Sequence, residues 1–117
     1  MRISDRKIHP ILKNQVIKTL AQTLADFKDP KDVEVFLKDF FNGSELETFA
    51  KRLAVAYWLR KKRSYSNIRE NLKVSSATIA VIQNLSKTPG FALAMKQVEA
   101  EEWANVWAER IKKFIRQ

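Results

Sequence analysis

The 117-residue chain contains no cysteine, two glycines, three prolines and a single histidine, His9. Without cysteine there can be no disulfide and no thiolate metal site, and one histidine leaves zinc only carboxylate-rich ligand sets. So few glycines and prolines supply few of the turns that a protein built from many short strands requires. We therefore expect an all-α protein with no metal or other cofactor.

Long apolar segments and an excess of acidic residues are also missing. No apolar run reaches the roughly 18 residues of a membrane span, and the charged residues 1–7 lead into no signal-type apolar core. We therefore expect a cytoplasmic protein. With 13 acidic against 22 basic residues the formal net charge is +9, which favours a polyanionic partner such as nucleic acid or anionic lipid.

What the chain does contain is helical periodicity, with apolar residues at steps of three and four. The 45% of hydrophobic residues can supply one core, so we expect a single domain over residues 1–117. It would comprise N-terminal helices over 13–43, a central motif over 44–87 and a C-terminal helix over 89–117. In detail, the pattern predicts about six helices: 14–28, 30–42, 45–62, 65–72, 76–86 and 91–115.

Residues that favour helix ends mark the N-terminal boundaries. Asp29 and Pro30 are expected to end the first helix and to begin the second, because proline is well placed at the first helical position. Gly43 is expected just beyond the second helix. Ser44 and Glu47 have the spacing of a capping box, which predicts the start of the third helix.

Two short helices joined by a tight turn occupy roughly 64–86, with Ser64 and Ser75 as expected N-caps. In a helix-turn-helix the two helices cross steeply, so both must offer aliphatic side chains and the turn must bury one. The residues of that kind are Ile68, Leu72, Val74, Ile79 and Ile82. The pattern therefore predicts a helix-turn-helix whose second helix enters a major groove.

The exposed residues of that second helix are small and polar, without lysine or arginine until Lys87. Base reading would then rest on serine, threonine and alanine contacts. We expect DNA contacts from Ser64, Ser66, Ser75, Ser76, Ala77, Thr78 and Ala80. Phosphate anchoring would come from Arg69, Lys73, Arg60, Lys61, Lys62 and Arg63. The run from Arg60 to Arg63 has an alternative interpretation as a favourable helix C-terminus.

The residues around this motif resemble those of a known family. The segment Gly43-Ser-Glu-Leu-Glu-Thr-Phe-Ala-Lys-Arg52-Leu-Ala-Val-Ala, followed by Ser64-Tyr65 and by Val74-Ser-Ser-Ala-Thr-Ile79, is similar to the tryptophan-repressor-like family of bacterial regulators, and to its YerC/YecD-type branch. The resemblance covers about 32–87. It implies an intertwined all-helical homodimer whose helix-turn-helix units bind successive major grooves of a palindromic operator.

The resemblance also allows a small-molecule corepressor. In the tryptophan repressor the ligand's indole ring lies between two arginines, of which the first matches Arg52 here. The second position is occupied by Val81, which can neither bind a carboxylate nor stack a charged plane. We therefore do not expect tryptophan as the ligand.

Other side chains have plain structural interpretations. Glu99, Glu101 and Glu102 lack the histidine, metal ligands or phosphate loop that catalysis would need beside them, so we expect solvated residues and no enzyme. Trp103 and Trp107 are expected to pack in a core or a dimer interface rather than against a membrane surface. Trp58 has two open interpretations, a core position or a contact with a partner chain. We assign no role to His9.

Together these patterns predict a homodimeric, sequence-specific DNA-binding transcriptional regulator that represses by occupying its operator. The alternative is a basic helical protein-interaction adaptor with only non-specific affinity for nucleic acid. The two differ in whether binding to a particular duplex persists when salt is raised.

Overall fold

The computed structural model describes residues 6–100 and 109–114, and across these residues it contains helices and turns but no strand. The predicted all-α class is therefore confirmed. The helices are α1 (Pro10–Asp26), α2 (Pro30–Phe40), α3 (Gly43–Arg60), α4 (Tyr65–Leu72), α5 (Ser76–Leu85) and α6 (Pro89–Ala100). Residues 109–114 are helical as well. None of the helices described is long and apolar enough to cross a membrane.

The C-terminal helix predicted over 91–115 is only partly covered by this description. It begins two residues earlier than expected, at Pro89. Its central part, which carries Glu101, Glu102, Trp103 and Trp107, lies outside the described residues.

The chain divides between Leu46 and Glu47 into two compact units. In the first unit, α1 begins four residues before the predicted Asn14, because His9 caps it. The imidazole Nδ1 of His9 accepts the backbone N–H of Ile11 at 3.2 Å, so this histidine has a structural role that its position before Pro10 did not reveal.

The junction of α1 and α2 follows the prediction. Asp29 is the N-cap of α2, its Oδ1 accepts the N–H of Lys31 at 2.9 Å, and Pro30 is the first helical residue. Next to this turn the ring of Phe36 contacts two others, Phe27 at 5.5 Å and Phe40 at 5.0 Å between centroids. These ring contacts tie the end of α1 to α2.

The start of α3 differs from the prediction. Asn42 Oδ1 accepts the N–H of Glu45 at 2.8 Å, and Glu45 Oε1 accepts the N–H of Asn42 at 2.9 Å. This is a capping box, but it lies two residues before the predicted pair of Ser44 and Glu47. Gly43 does not terminate α2, since no described glycine has a positive φ; it is the first residue of α3 instead.

The end of α3 is a Schellman motif formed by the basic residues. The N–H of Arg63 bonds to the carbonyl of Trp58 at 3.1 Å, and the N–H of Lys62 bonds to that of Leu59 at 2.9 Å. Lys62 has a φ of 62° and occupies the position where glycine is usual. The helix therefore ends at Arg60 rather than at the predicted 62, and the basic run is divided between helix and turn.

The core of the second unit is formed by α3, α4, α5, α6 and the segment 109–114. Its buried side chains are Val55, Ala56, Tyr57, Trp58, Ile68, Ile79, Ile82, Met95 and Ile111. Trp58 is only 4% exposed, so within the described chain it is a core residue rather than a surface awaiting a partner. This core positions α4 and α5.

Candidate nucleic-acid interface

Helices α4 and α5, of 8 and 10 residues, form the predicted helix-turn-helix. Lys73 turns the chain with a φ of 55°, and its N–H bonds to the carbonyl of Arg69 at 3.0 Å. Ile68 and Ile79 are fully buried, and the turn residue Val74 packs against the same core. The aliphatic contacts that the sequence pattern required are therefore present.

Serine hydroxyls cap both helices, as predicted. Ser64 Oγ accepts the N–H of Asn67 at 3.1 Å, and Ser75 Oγ accepts the N–H of Thr78 at 3.1 Å. Ser75 also donates its hydroxyl hydrogen to Thr78 Oγ1 at 2.9 Å. That contact orients the Thr78 hydroxyl and, within the described residues, leaves its hydrogen for an acceptor elsewhere.

Two side-chain hydrogen bonds join α4 to α5. Arg69 Nη1 donates to Ser76 Oγ at 2.7 Å, at the first residue of α5. Tyr65 donates its hydroxyl hydrogen to Gln83 Oε1, near the last turn of α5. Because the two bonds lie about two helical turns apart, they restrain both the position and the rotation of α5.

These bonds change what two of the predicted contact residues can do. Arg69 uses part of its guanidinium within the motif, and Ser76 is half-buried with its hydroxyl bonded to Arg69. Both residues hold α5 in place. Tyr65 and Gln83 do so as well, and sequence reasoning missed them because their 18-residue separation has no periodic signal.

The exposed surface of α5 carries the remaining predicted residues of that helix. Ala77, Thr78 and Ala80 are exposed, as are Val81 and Asn84. Asn84 was not predicted, because it lies near the end of α5 and the N-terminal residues of a recognition helix are the ones expected to contact bases. Its spacing of seven from Ala77 places it on the same face two turns later, and its carboxamide can form a bidentate pair with adenine.

The basic residues before α4 fall into two groups. Arg60 Nε pairs with Glu99 Oε1 at 2.8 Å; Glu99 is an exposed helix residue, as predicted, and is also an ion-pair partner. Lys61 Nζ lies 5.5 Å from the ring centroid of Tyr57. Lys62 is exposed and Arg63 is half-buried, and both follow the end of α3.

The two ends of α4 share one feature. Lys62, two residues before the cap Ser64, and Lys73, just after the last residue of α4, are the non-glycine residues with positive φ in the described part of the chain. Both are exposed, as are Ser64 and Ser66 in the first turn of α4. Glycine would adopt a positive φ more easily than lysine at both positions. The two lysines place two cations beside the helix-turn-helix.

Arg52 and Val81 line one cleft of about 330 Å³ between α3 and α5. Thr78 lines it too, together with Ala77, Ile82 and Leu85. The Arg52 guanidinium lies 5.2 Å from the ring centroid of Phe49. The cleft thus offers one cation and an otherwise largely apolar wall. No group of three potential metal ligands occurs among the residues described.

In the first unit, α1 has no buried residue in the described chain. Its exposed apolar side chains include Ile11 at 66% and Ile17 at 55%, and Val16, Leu20 and Leu24 are exposed as well. An apolar face of this extent is typical of an interaction surface rather than of a helix facing water.

An all-helical chain whose helix-turn-helix is joined by two side-chain bonds, with small polar groups on an exposed second helix and cations beside the first, has the features of a DNA-binding domain. Residues 15–99 match the family described as "Trp repressor protein", which is most of the chain. The chain therefore belongs to the Trp repressor family. Members are non-enzymatic helix-turn-helix DNA-binding regulators, and so is this chain. No curated protein and no solved structure matches it.

Proposed function

We propose that the chain is a sequence-specific transcriptional repressor that binds its operator as a homodimer, with α5 of each protomer in a major groove. The principal support is the pair of bonds from Arg69 to Ser76 and from Tyr65 to Gln83, which hold α5 in one orientation. A recognition helix that is already fixed pays less conformational entropy when it enters a groove. A DNA target also favours the cytoplasmic location expected from the sequence.

Base reading in this proposal depends on the exposed face of α5. Thr78 offers an oriented hydroxyl donor to a base-edge acceptor, and Asn84 offers a carboxamide to adenine. Ala77 and Ala80 can pack against thymine methyl groups. Arg69 and Ser76 act as positioning residues.

Phosphate anchoring is assigned to the cations at the ends of α4. Lys62 and Lys73 are exposed there, and Lys61 and Arg63 adjoin Lys62. The Ser64 and Ser66 hydroxyls lie in the first turn of α4, where backbone and side-chain donors commonly contact phosphate. Arg60 contributes less, because its charge is already paired with Glu99.

Dimerisation is assigned to the exposed apolar face of α1. Covering this face with a second copy removes it from water, which is the favourable term in most protein association. A two-fold symmetric dimer would place its recognition helices about 34 to 36 Å apart, one turn of the duplex. The proposed operator is therefore a palindrome.

Tryptophan is not the proposed corepressor. The Arg52 cleft presents Val81 where a second cation would be needed to enclose an amino acid's aromatic ring, and the bond from Arg69 to Ser76 joins α5 to α4 within the chain itself. A different small molecule remains compatible with the cleft, and its chemistry would have to match a single guanidinium on an apolar wall.

The test is selection of bound duplexes from a randomised pool at ~50 mM and ~200 mM salt, since specific contacts survive where phosphate attraction weakens. We expect a palindrome to be enriched at the higher salt, equally with and without tryptophan. Loss of all binding at the higher salt with no enriched sequence would instead favour the protein-interaction adaptor. Enrichment only with tryptophan would contradict the proposal that the Arg52 cleft does not bind tryptophan as a corepressor.

A further inference from the structure

A second cavity of the same unit shares no lining residue with the Arg52 cleft and includes no residue of α5. Its volume is about 300 Å³, and it lies between α3, α4 and the helical segment 109–114. The lining residues are Trp58, Asn71, Leu72, Arg110, Ile111 and Phe114. The size is at the lower end of the range for small-molecule sites.

The lining combines apolar walls with a few polar groups. Trp58 and Phe114 supply two aromatic rings, and Leu72 and Ile111 supply aliphatic surface. Arg110 is exposed, and no ion pair joins it to a carboxylate of the described residues. A planar apolar body with one anionic group matches this combination.

The indole of Trp58 adds an independent indication of a ligand. The side chain is 4% exposed, and its Nε1–H has no acceptor among the described residues. Buried tryptophan N–H groups normally have a hydrogen-bond partner, so an unpaired one requires a physical cause. The same indole forms a wall of the cavity, where a ligand oxygen can supply the missing acceptor.

We propose that this cavity binds a small aromatic carboxylate. The ring of the ligand packs between Trp58 and Phe114, and the carboxylate oxygens accept hydrogen bonds from the Arg110 guanidinium and the Trp58 indole. An aromatic rather than an alkyl body is favoured because two of the walls are aromatic rings, which pair in offset or edge-to-face arrangements. Since Asn71 and Leu72 belong to α4, the ligand would contact the first helix of the helix-turn-helix directly.

The experiment uses the full chain labelled with ¹⁵N and follows its indole N–H resonances by NMR. Trp58→Phe identifies the Trp58 signal, and naphthalene-1-acetate is the probe. We expect a saturable shift of the Trp58 signal, because a carboxylate oxygen becomes its acceptor. Arg110→Gln should weaken binding about tenfold or more, since a hydrogen bond to a charged group is lost.

Two matched comparisons distinguish this site from the Arg52 cleft and from binding through the aromatic ring alone. Arg52→Gln removes the guanidinium of the other cleft and should leave the probe's affinity unchanged. Naphthalene-1-acetamide keeps the ring but not the charge, and should bind wild-type protein about tenfold more weakly. The amide comparison stands even if Arg110→Gln unfolds, which thermal unfolding would reveal.

Several results would overturn the proposal. The Trp58 shift could fail to saturate up to about 5 mM probe. The Arg110→Gln variant could bind the probe with wild-type affinity, or the Arg52→Gln variant could lose binding. Tighter binding of decanoate than of naphthalene-1-acetate would contradict the aromatic class. None of these measurements involves DNA, so the outcome is independent of the proposed repressor function.

Discussion

At the scale of single residues, Thr78 carries the exposed hydroxyl that the proposed interface uses to read a base. Ser75 donates to its oxygen at 2.9 Å, so the direction of its own hydrogen is restricted. Thr78→Val keeps the shape of the side chain but removes the donor. We expect specific affinity to fall about five- to tenfold, the value of one neutral hydrogen bond, with non-specific affinity unchanged. Competition binding with operator and unrelated duplex measures both.

The matched control for Thr78→Val is Thr19→Val, which makes the same change on α1, where the hydroxyl donates to the backbone carbonyl of Gln15 within the same helix. This variant should retain the wild-type ratio of specific to non-specific affinity. If Thr78→Val also retained that ratio, Thr78 would not read a base.

Arg69 and Ser76 provide a second test at this scale, because a positioning role and a phosphate contact have different consequences. Arg69→Gln and Ser76→Ala should each lower specific affinity, and the double variant should lose little more than either alone, since all three remove the same bond. The salt dependence of binding should stay at the wild-type slope in Arg69→Gln, whereas Lys73→Gln should reduce that slope by about one.

If the losses of specific affinity were strictly additive, or if Arg69→Gln reduced the salt slope, Arg69 would contact a phosphate as predicted from the sequence. That prediction rested on charge and proximity to the turn. The bond to Ser76 spans seven residues and depends on the crossing of α4 and α5, so no local pattern could reveal it.

At the scale of helices, boundaries were predictable where one cap residue had no competitor. Ser64 and Ser75 fixed the starts of α4 and α5 to the residue. The start of α3 was ambiguous because Asn42 with Glu45 and Ser44 with Glu47 both have capping-box spacing. The choice depends on whether Gly43 adopts a positive φ, and it does not.

The capping box of α3 can be tested with two glutamates. Glu45→Ala should lower the free energy of unfolding by about 1 kcal/mol, because the N–H of Asn42 loses its acceptor. Glu47→Ala should have a smaller effect, because the Glu47 side chain is exposed and its ion pair with Lys51, at 3.5 Å, lies at the surface. Urea unfolding of both variants gives the comparison, and a larger effect at Glu47 would favour Ser44 with Glu47 as the capping box.

At the end of α3, one substitution should change the stability of the fold and the affinity for DNA in opposite directions. Lys62 holds the left-handed position of the Schellman motif at a φ of 62°, where glycine has no Cβ penalty. Lys62→Gly should raise the free energy of unfolding by up to about 1 kcal/mol. It should also weaken DNA binding and reduce its salt slope by about one if Lys62 contacts a phosphate.

Lys61→Gly is the control for the effect on stability. Lys61 lies one residue earlier, without a positive φ, so glycine should bring no gain in stability there. A stabilised Lys62→Gly variant that binds DNA with the wild-type salt slope would mean that lysine at this position serves no phosphate contact.

At the scale of the whole molecule, the sequence predicted the helical class, the helix-turn-helix and the family, because these follow from periodicity, caps and short motifs. The bonds that orient α5 were not predictable, since they join residues that only the tertiary structure brings together. The proposed dimer interface could be predicted from the sequence only in part. The apolar stripe of α1 is visible in the sequence, but its exposure, 66% at Ile11 and 55% at Ile17, is a property of the folded chain.

If the apolar stripe of α1 is the dimer interface, a charge within it should prevent dimerisation without unfolding the protomer. Ile17→Glu places a carboxylate that would be buried in the dimer, so we expect a monomer by sedimentation equilibrium, with helicity retained. The control is Gln15→Glu, which adds the same charge at a polar position of α1 and should remain dimeric. Because two linked recognition helices gain avidity, the monomer should bind the palindrome about 10²- to 10⁴-fold more weakly than wild type. It should bind a single half-site with the affinity of one wild-type helix-turn-helix. An Ile17→Glu variant that stays dimeric would show that the exposed face of α1 is not the dimer interface. A monomeric variant with undiminished affinity for the palindrome would show that DNA reading does not depend on dimerisation.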